Sequence, residues 1–149
     1  MKNHIQIILI KKIKFYLLKK MFKSQYELKQ YFEQNPDPLN VQKNGGYKEY
    51  TMQEVALHNA PPSIWSVYNG AVYDITMYVN CHPGGAKMLE KVYGKDMTGL
   101  FNRFHGYINI DNVIGPLKIG YIKKAPTVKN PSSVLNIPHN FTKPKIMKK

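Results

Sequence analysis

From Tyr47 onward the apolar residues fall into short runs with regular punctuation. Thr51-Met-Gln-Glu54 has capping-box spacing and predicts a short helix through about Asn59, stopped by Pro61-Pro62. Residues 64–68 read as a strand, Asn69-Gly70 as a two-residue hairpin turn, and residues 71–75 as the return strand. Thr76 is expected to cap one helical turn ending near Asn80. Pro83-Gly84-Gly85 then re-aims the chain. Residues 86–93 carry Met88, Leu89 and Val92 on one side of a helix that Gly94 ends. Asp96 or Thr98 opens another helix, bearing Leu100, Phe101 and Phe104 and stopping near His105-Gly106. Asp111 is placed to cap one more short helix before Pro116, and residues 118–123 alternate weakly as a closing strand. No internal repeat is present.

The two flanks follow other rules. Residues 1–23 are apolar but interrupted by Lys11, Lys12, Lys14, Lys19 and Lys20. A spanning helix needs about 20 apolar residues, so this is a poor transmembrane segment. It also lacks a small-residue cleavage site after an unbroken apolar core, as a secretory signal would have. Three readings stay open: a mitochondrial presequence, an interfacial or partner-binding helix, and a true start at Met21. From about Ala125 the chain carries four prolines and no acid, and reads as an extended strap or a disordered end. The division expected is a basic extension and linker over 1–46, a folded domain over 47–124, and a Pro/Lys-rich tail over 125–149.

Composition narrows the function classes. The chain has 149 residues, 43% apolar and 12% aromatic, enough for one packed core. Cys81 is the single cysteine, which excludes an internal disulfide, a CxxC pair and a Cys-rich zinc site. The net charge of +13 suggests nucleic acid or an anionic membrane at first sight. Its distribution changes that picture. Residues 1–26 sum to +7, 27–49 to −1, 50–117 to −1 and 118–149 to +8. Arg103 is the one arginine among 22 basic residues, whereas phosphate recognition favours arginine forks. A nucleic-acid partner is not expected.

His82 follows one helical turn, and His105 ends a helix 23 residues later. In a single straight helix they would stand roughly 34 Å apart. A fold-back at Gly94 lets each point into one slot lined by Tyr78, Leu89, Phe101 and Phe104. Two imidazoles across an apolar slot suit a flat macrocycle with a metal at its centre. A zinc site would need about four protein ligands, and no further Cys or carboxylate stands at ligand spacing. On two histidines alone, the plainer account stays open: unrelated residues that end helices or are satisfied in a core.

The wider context favours the first account. The Thr51–Glu54 helix opening, Trp65, the run Val72-Tyr73-Asp74-Ile75-Thr76 and His82-Pro83-Gly84-Gly85 together resemble the cytochrome b5 haem-binding domain family. The likeness covers about 47–122, and TGLFNRFHGYIN is more similar to the haem domain of flavohaem cytochrome b5 reductase fusions than to the microsomal form. The resemblance implies an α+β fold: a small mixed sheet with two helical hairpins that form a haem pocket. It implies His82 and His105 as axial ligands, with Tyr78, Leu89, Phe101 and Phe104 in the pocket. Without a CxxCH motif the haem would be non-covalent haem b. It also implies a one-electron carrier with no substrate site of its own, served by a flavin-dependent reductase. The alternative is an accessory or structural subunit of a larger complex, such as a mitochondrial respiratory one, whose other subunits are its partners. Peripheral membrane contact would run through residues 1–23. A mitochondrial location is expected, against a cytoplasmic or endoplasmic-reticulum alternative. Cys81 is expected to be structural, His58 only a helix-end residue, and His4 and His139 tail residues.

Two departures stand out. Typical members carry acidic residues near the haem edge, where residues 86–105 here sum to +2 through Lys87, Lys91, Lys95 and Arg103 against Glu90 and Asp96. Charge complementarity then calls for an acidic partner or a fixed mounting. Gly106 stands where many members have a residue able to bond a haem propionate.

Overall fold

The computed structural model describes residues 22–124, together with Ile5, Gln6, Leu9, Ile10, Ile13, Tyr16 and Leu17, which are helical. The expectations for 125–149, His4 and His139 lie outside the described residues. The elements are α1 (Gln25–Gln34), β1 (Lys48–Tyr50), α2 (Met52–Ala56), β2 (Asn59–Ala60), β3 (Ser63–Tyr68), β4 (Ala71–Asp74), α3 (Ala86–Leu89), β5 (Lys95–Asp96), α4 (Thr98–His105), α5 (Asp111–Ile114) and β6 (Lys118–Ile122). Short 3₁₀ turns cover Ile75–Met77, Val79–Cys81, Glu90–Val92 and Gly115–Leu117.

The strand order is β1-β6-β4-β3-β2, with β5 also paired to β3. The β1–β6 and β3–β5 pairs are parallel and the others antiparallel, so the sheet is mixed. The β3–β4 hairpin turns on Asn69 and Gly70, whose φ values of 47° and 77° fit the primed turn expected of Asn-Gly. The capping box forms as expected: Thr51 Oγ1 accepts from the Glu54 amide at 3.1 Å, and the Thr51 amide donates to Glu54 Oε2 at 2.6 Å. The helix it opens ends at Ala56, short of Asn59, because Asn59 enters β2.

Three local expectations change. Asp74, and not Thr76, caps the turn after β4, its carboxylate accepting from the Thr76 amide at 3.1 Å. The Thr76 hydroxyl instead accepts from the buried Ile64 amide at 2.9 Å, tying the turn to β3. The helix expected over 86–93 divides into α3 and a 3₁₀ turn before Gly94, where φ is +67°. Asp111 begins α5 as its first residue, and its amide is met by Asn109 Oδ1.

The larger difference concerns residues 22–46. A linker was expected up to position 46, yet Phe22, Leu28 and Phe32 are buried in the same cluster as Ile64, Tyr73, Ile75, Cys81 and Leu117. Ser24 caps α1, accepting from the Glu27 amide, and the spacing of Leu28 and Phe32 directs one helix face inward. Each such burial contributes about 1.5–3 kcal/mol. Position 46 is therefore not a physical seam. The polar composition of 27–46 hid this, because two inward side chains suffice to dock a ten-residue helix.

Candidate functional site

His82 is delivered by the 3₁₀ turn Val79–Cys81 that follows the β3–β4 hairpin, and His105 by the last residue of α4. Their ring centres lie 6.2 Å apart with the planes 75° to one another. Both line an apolar cavity of about 360 Å³. The expected residues Tyr78, Leu89, Phe101 and Phe104 all line it. Tyr78 and Phe101 also pack on the histidine rings, at 5.8 Å from His82 and 5.5 Å from His105.

The Pro-Gly-Gly turn acts directly on His82. Gly85 has φ +85° and turns its carbonyl back toward the imidazole, 3.3 Å from Nδ1. A carbonyl only accepts, so Nδ1 carries the hydrogen and Nε2 keeps its lone pair. Gly84 leaves room for the ring: a Cβ there would lie 2.7 Å from His82 Cε1. Burial, against the hydrogen bond to Gly85, pushes the His82 pKa down and keeps the imidazole neutral. His105 has no such backbone partner; its Nδ1 is buried without a hydrogen bond, and packing on Phe101 holds the ring.

Sequence reasoning missed much of the wall. Ile75, Met97, Leu100, Ile108, Ile110 and Ile114 also line the cavity. Their signal was an apolar residue near each helix end, which by itself does not say which cavity it faces. Gln25 of α1 lines it as well. Cys81 points away from the cavity wall into the core, its Sγ 3.7 Å from the carbonyl oxygens of Phe22 and Met77. Burial pushes its thiol up to about 11, so it stays protonated, in line with a structural role. His58 is more than a helix-end residue: its ring stacks on Trp65 at 3.5 Å and 8°, with Nδ1 2.7 Å from Ser63 Oγ. It lies outside the residues that line the cavity.

The fit of this site to a metal macrocycle is testable by distance. A metal–imidazole bond of about 2 Å and about 1.1 Å from ring nitrogen to ring centre give a span of about 6.2 Å for two imidazoles on one metal. The observed 6.2 Å matches. Met88, Leu100 and Phe104 line the same cavity yet are 40–59% exposed, a layout that a flat apolar ring would cover. Among the described residues no cluster of three or more His, Cys, Asp or Glu stands ready for a separate metal ion.

The family model for the cytochrome b5-like haem/steroid-binding domain matches residues 51–123. A putative cytochrome b5 of Neurospora crassa is 37% identical over 76 residues, which cover 51% of this chain and 92% of that protein. The chain belongs to the cytochrome b5-like family. Its α+β fold is the cytochrome b5-like fold, and its family is one of haem-binding domains. Its cofactor is non-covalent haem b, in keeping with the fit of the cavity and the absence of a CxxCH motif.

Larger relatives match the same region. The NADH nitrate reductase of Volvox carteri is 50% identical over 60 residues, 40% of this chain and 7% of that protein. Cytochrome b5 reductase 4 of Xenopus tropicalis is 37% identical over 90 residues, 59% of this chain and 17% of that protein. The cytochrome b5-like chain thus spans only a small part of each of these two. α1 precedes the residues that the family model matches, although it packs into the same core.

Proposed function

We propose that this cytochrome b5-like chain carries single electrons on a haem iron held between His82 and His105. The 6.2 Å span of the two imidazoles across an apolar cavity carries this reading. When bound, haem supplies reversible one-electron chemistry at its iron. The chain's residues prepare for that. The Gly85 carbonyl takes the Nδ1 hydrogen of His82 and so presents Nε2 as the donor atom. His82 and His105 would both hold the iron, and a group so held would supply electron transfer and not activation of dioxygen or a substrate. Tyr78, Leu89 and Phe101 line the cavity and would supply apolar walls to the group.

The electron donor in this reading is a flavin-dependent reductase, supported by the match to a protein named cytochrome b5 reductase 4. Lys87, Lys91 and Lys95 are exposed, and Lys91 lines the cavity, so a donor with an acidic docking face fits this rim.

The test is an optical spectrum of the purified chain, oxidised and then dithionite-reduced, with carbon monoxide added. A low-spin spectrum that carbon monoxide leaves unchanged is expected. His82→Ala and His105→Ala should each lose haem or become carbon-monoxide-reactive. A wild-type spectrum that shifts with carbon monoxide would overturn the two-histidine assignment.

A further inference from the structure

We infer that Tyr68 is a positioning residue for His105, holding the imidazole in place through Phe101 and Asn102 of α4. This rests on the two-histidine reading and deepens it. The two imidazoles are held by different means. His82 is aimed by the Gly85 carbonyl. His105 has no such bond: its Nδ1 is buried without a partner, and it is the last residue of α4. Its orientation therefore comes from what packs on the ring and from where the end of α4 lies.

Tyr68 bears on both. Phe101 lies one helical turn before His105, with its ring 5.5 Å from the imidazole. Tyr68 meets Phe101 edge-on, the ring centres 4.8 Å apart and the planes at 65°. The Tyr68 hydroxyl donates to Asn102 Oδ1 at 3.0 Å. Phe101 and Asn102 are the i−4 and i−3 neighbours of His105, so one side chain of β3 grips α4 beside the imidazole. The start of α4 is tied separately: the Met97 amide donates to the Val67 carbonyl, and the Asn69 amide to Thr98 Oγ1, both at 2.8 Å. Those ties make a pivot. His105 stands about 10 Å along the axis from Thr98, so a tilt of about 5° would move it by about 0.9 Å. That is a large part of a metal–nitrogen bond of about 2 Å. Tyr68 itself lies outside the residues that line the cavity. Its effect on a bound haem therefore passes through α4.

The test compares the full haem-loaded chain with three variants. Tyr68→Leu removes the ring contact and the hydroxyl. Tyr68→Phe keeps the ring and removes the hydroxyl. Asn102→Ala removes the hydrogen bond from an exposed position, where the fold tolerates the change. The readouts are carbon monoxide binding by the reduced chain, haem transfer to an apo-globin scavenger, and the electron paramagnetic resonance spectrum of the oxidised chain, whose anisotropy follows the relative orientation of two axial imidazoles. Tyr68→Leu should bind carbon monoxide, shift the resonance spectrum and lose haem about tenfold faster. Tyr68→Phe and Asn102→Ala should stay inert to carbon monoxide and lose haem about threefold faster. A Tyr68→Leu chain that unfolds at a lower temperature but keeps the parent's resonance spectrum and inertness would show a merely structural role and overturn the inference. Unchanged haem loss in Asn102→Ala would overturn it even where Tyr68→Leu does not fold. A parent chain without haem, or one whose reduced haem binds carbon monoxide, would instead overturn the two-histidine reading itself.

Discussion

Gly84→Ala isolates the link between a backbone turn and the imidazole proposed to hold the haem iron. The added Cβ would stand 2.7 Å from His82 Cε1 and 3.2 Å from Nδ1. Ordinary contact begins at 3.4 Å, so restoring it takes a ring movement of about 0.7 Å. Gly84 does not use a positive φ, so the backbone accepts alanine and the change falls on the imidazole. Moving the ring breaks its 3.3 Å approach to the Gly85 carbonyl, a loss of about 0.5–1.5 kcal/mol. An off-rotamer imidazole would add about 0.5–1.5 kcal/mol. The sum, about 1–3 kcal/mol, converts to roughly 5- to 150-fold weaker haem retention. The assay is the rate of haem transfer to an excess of an apo-globin scavenger, with thermal unfolding of the haem-free chain as the control. Haem loss should accelerate while the haem-free chain unfolds at nearly the parent temperature. Unchanged haem loss would refute the claim that Gly84 makes room for the ligand.

Other expectations test the frame around the site. Gly120→Ala would put a Cβ 1.9 Å from the Lys48 carbonyl oxygen, a backbone atom with no freedom to yield; urea unfolding should show a loss of about 3 kcal/mol or unpairing of β1 from β6. Leu28→Ala should destabilise the domain by about 2–5 kcal/mol in the same measurement, although α1 precedes the family match; a loss below about 0.5 kcal/mol would mean that α1 is a loose appendage. Burial tends to raise the Asp111 pKa, but hydrogen bonds from Lys118 and Tyr73 outweigh it and hold the carboxyl below its usual range. Its stabilising share is full above the unfolded carboxylate pKa of about 4 and is lost as pH falls through the lower folded value. Asp111→Asn should therefore flatten the acid limb of stability against pH, modestly because the group is half exposed. Replacing Lys87, Lys91 and Lys95 by Glu should slow reduction by the native donor and invert the salt dependence; an unchanged rate would rule out docking at this rim.

Much of this protein is local and was therefore legible along the chain. Asn69-Gly70 demands a primed turn whatever surrounds it, because both residues tolerate positive φ. Thr51 and Glu54 cap one another within four residues. The His-Pro-Gly-Gly order sets the His82 tautomer through a carbonyl three residues away. Tertiary structure decided the rest, because it depends on residues far apart in sequence. Strand β1 exists only by lying parallel to β6 about 70 residues later, and no local pattern in Lys48–Tyr50 announces it. The stacking of His58 on Trp65 and the burial of Leu28 and Phe32 arise in the same way. Sequence singled out the two histidines, since spacing and turn residues are local properties. Only the packed sheet and helices set the 6.2 Å between them, because a distance across a cavity is fixed by everything that surrounds it.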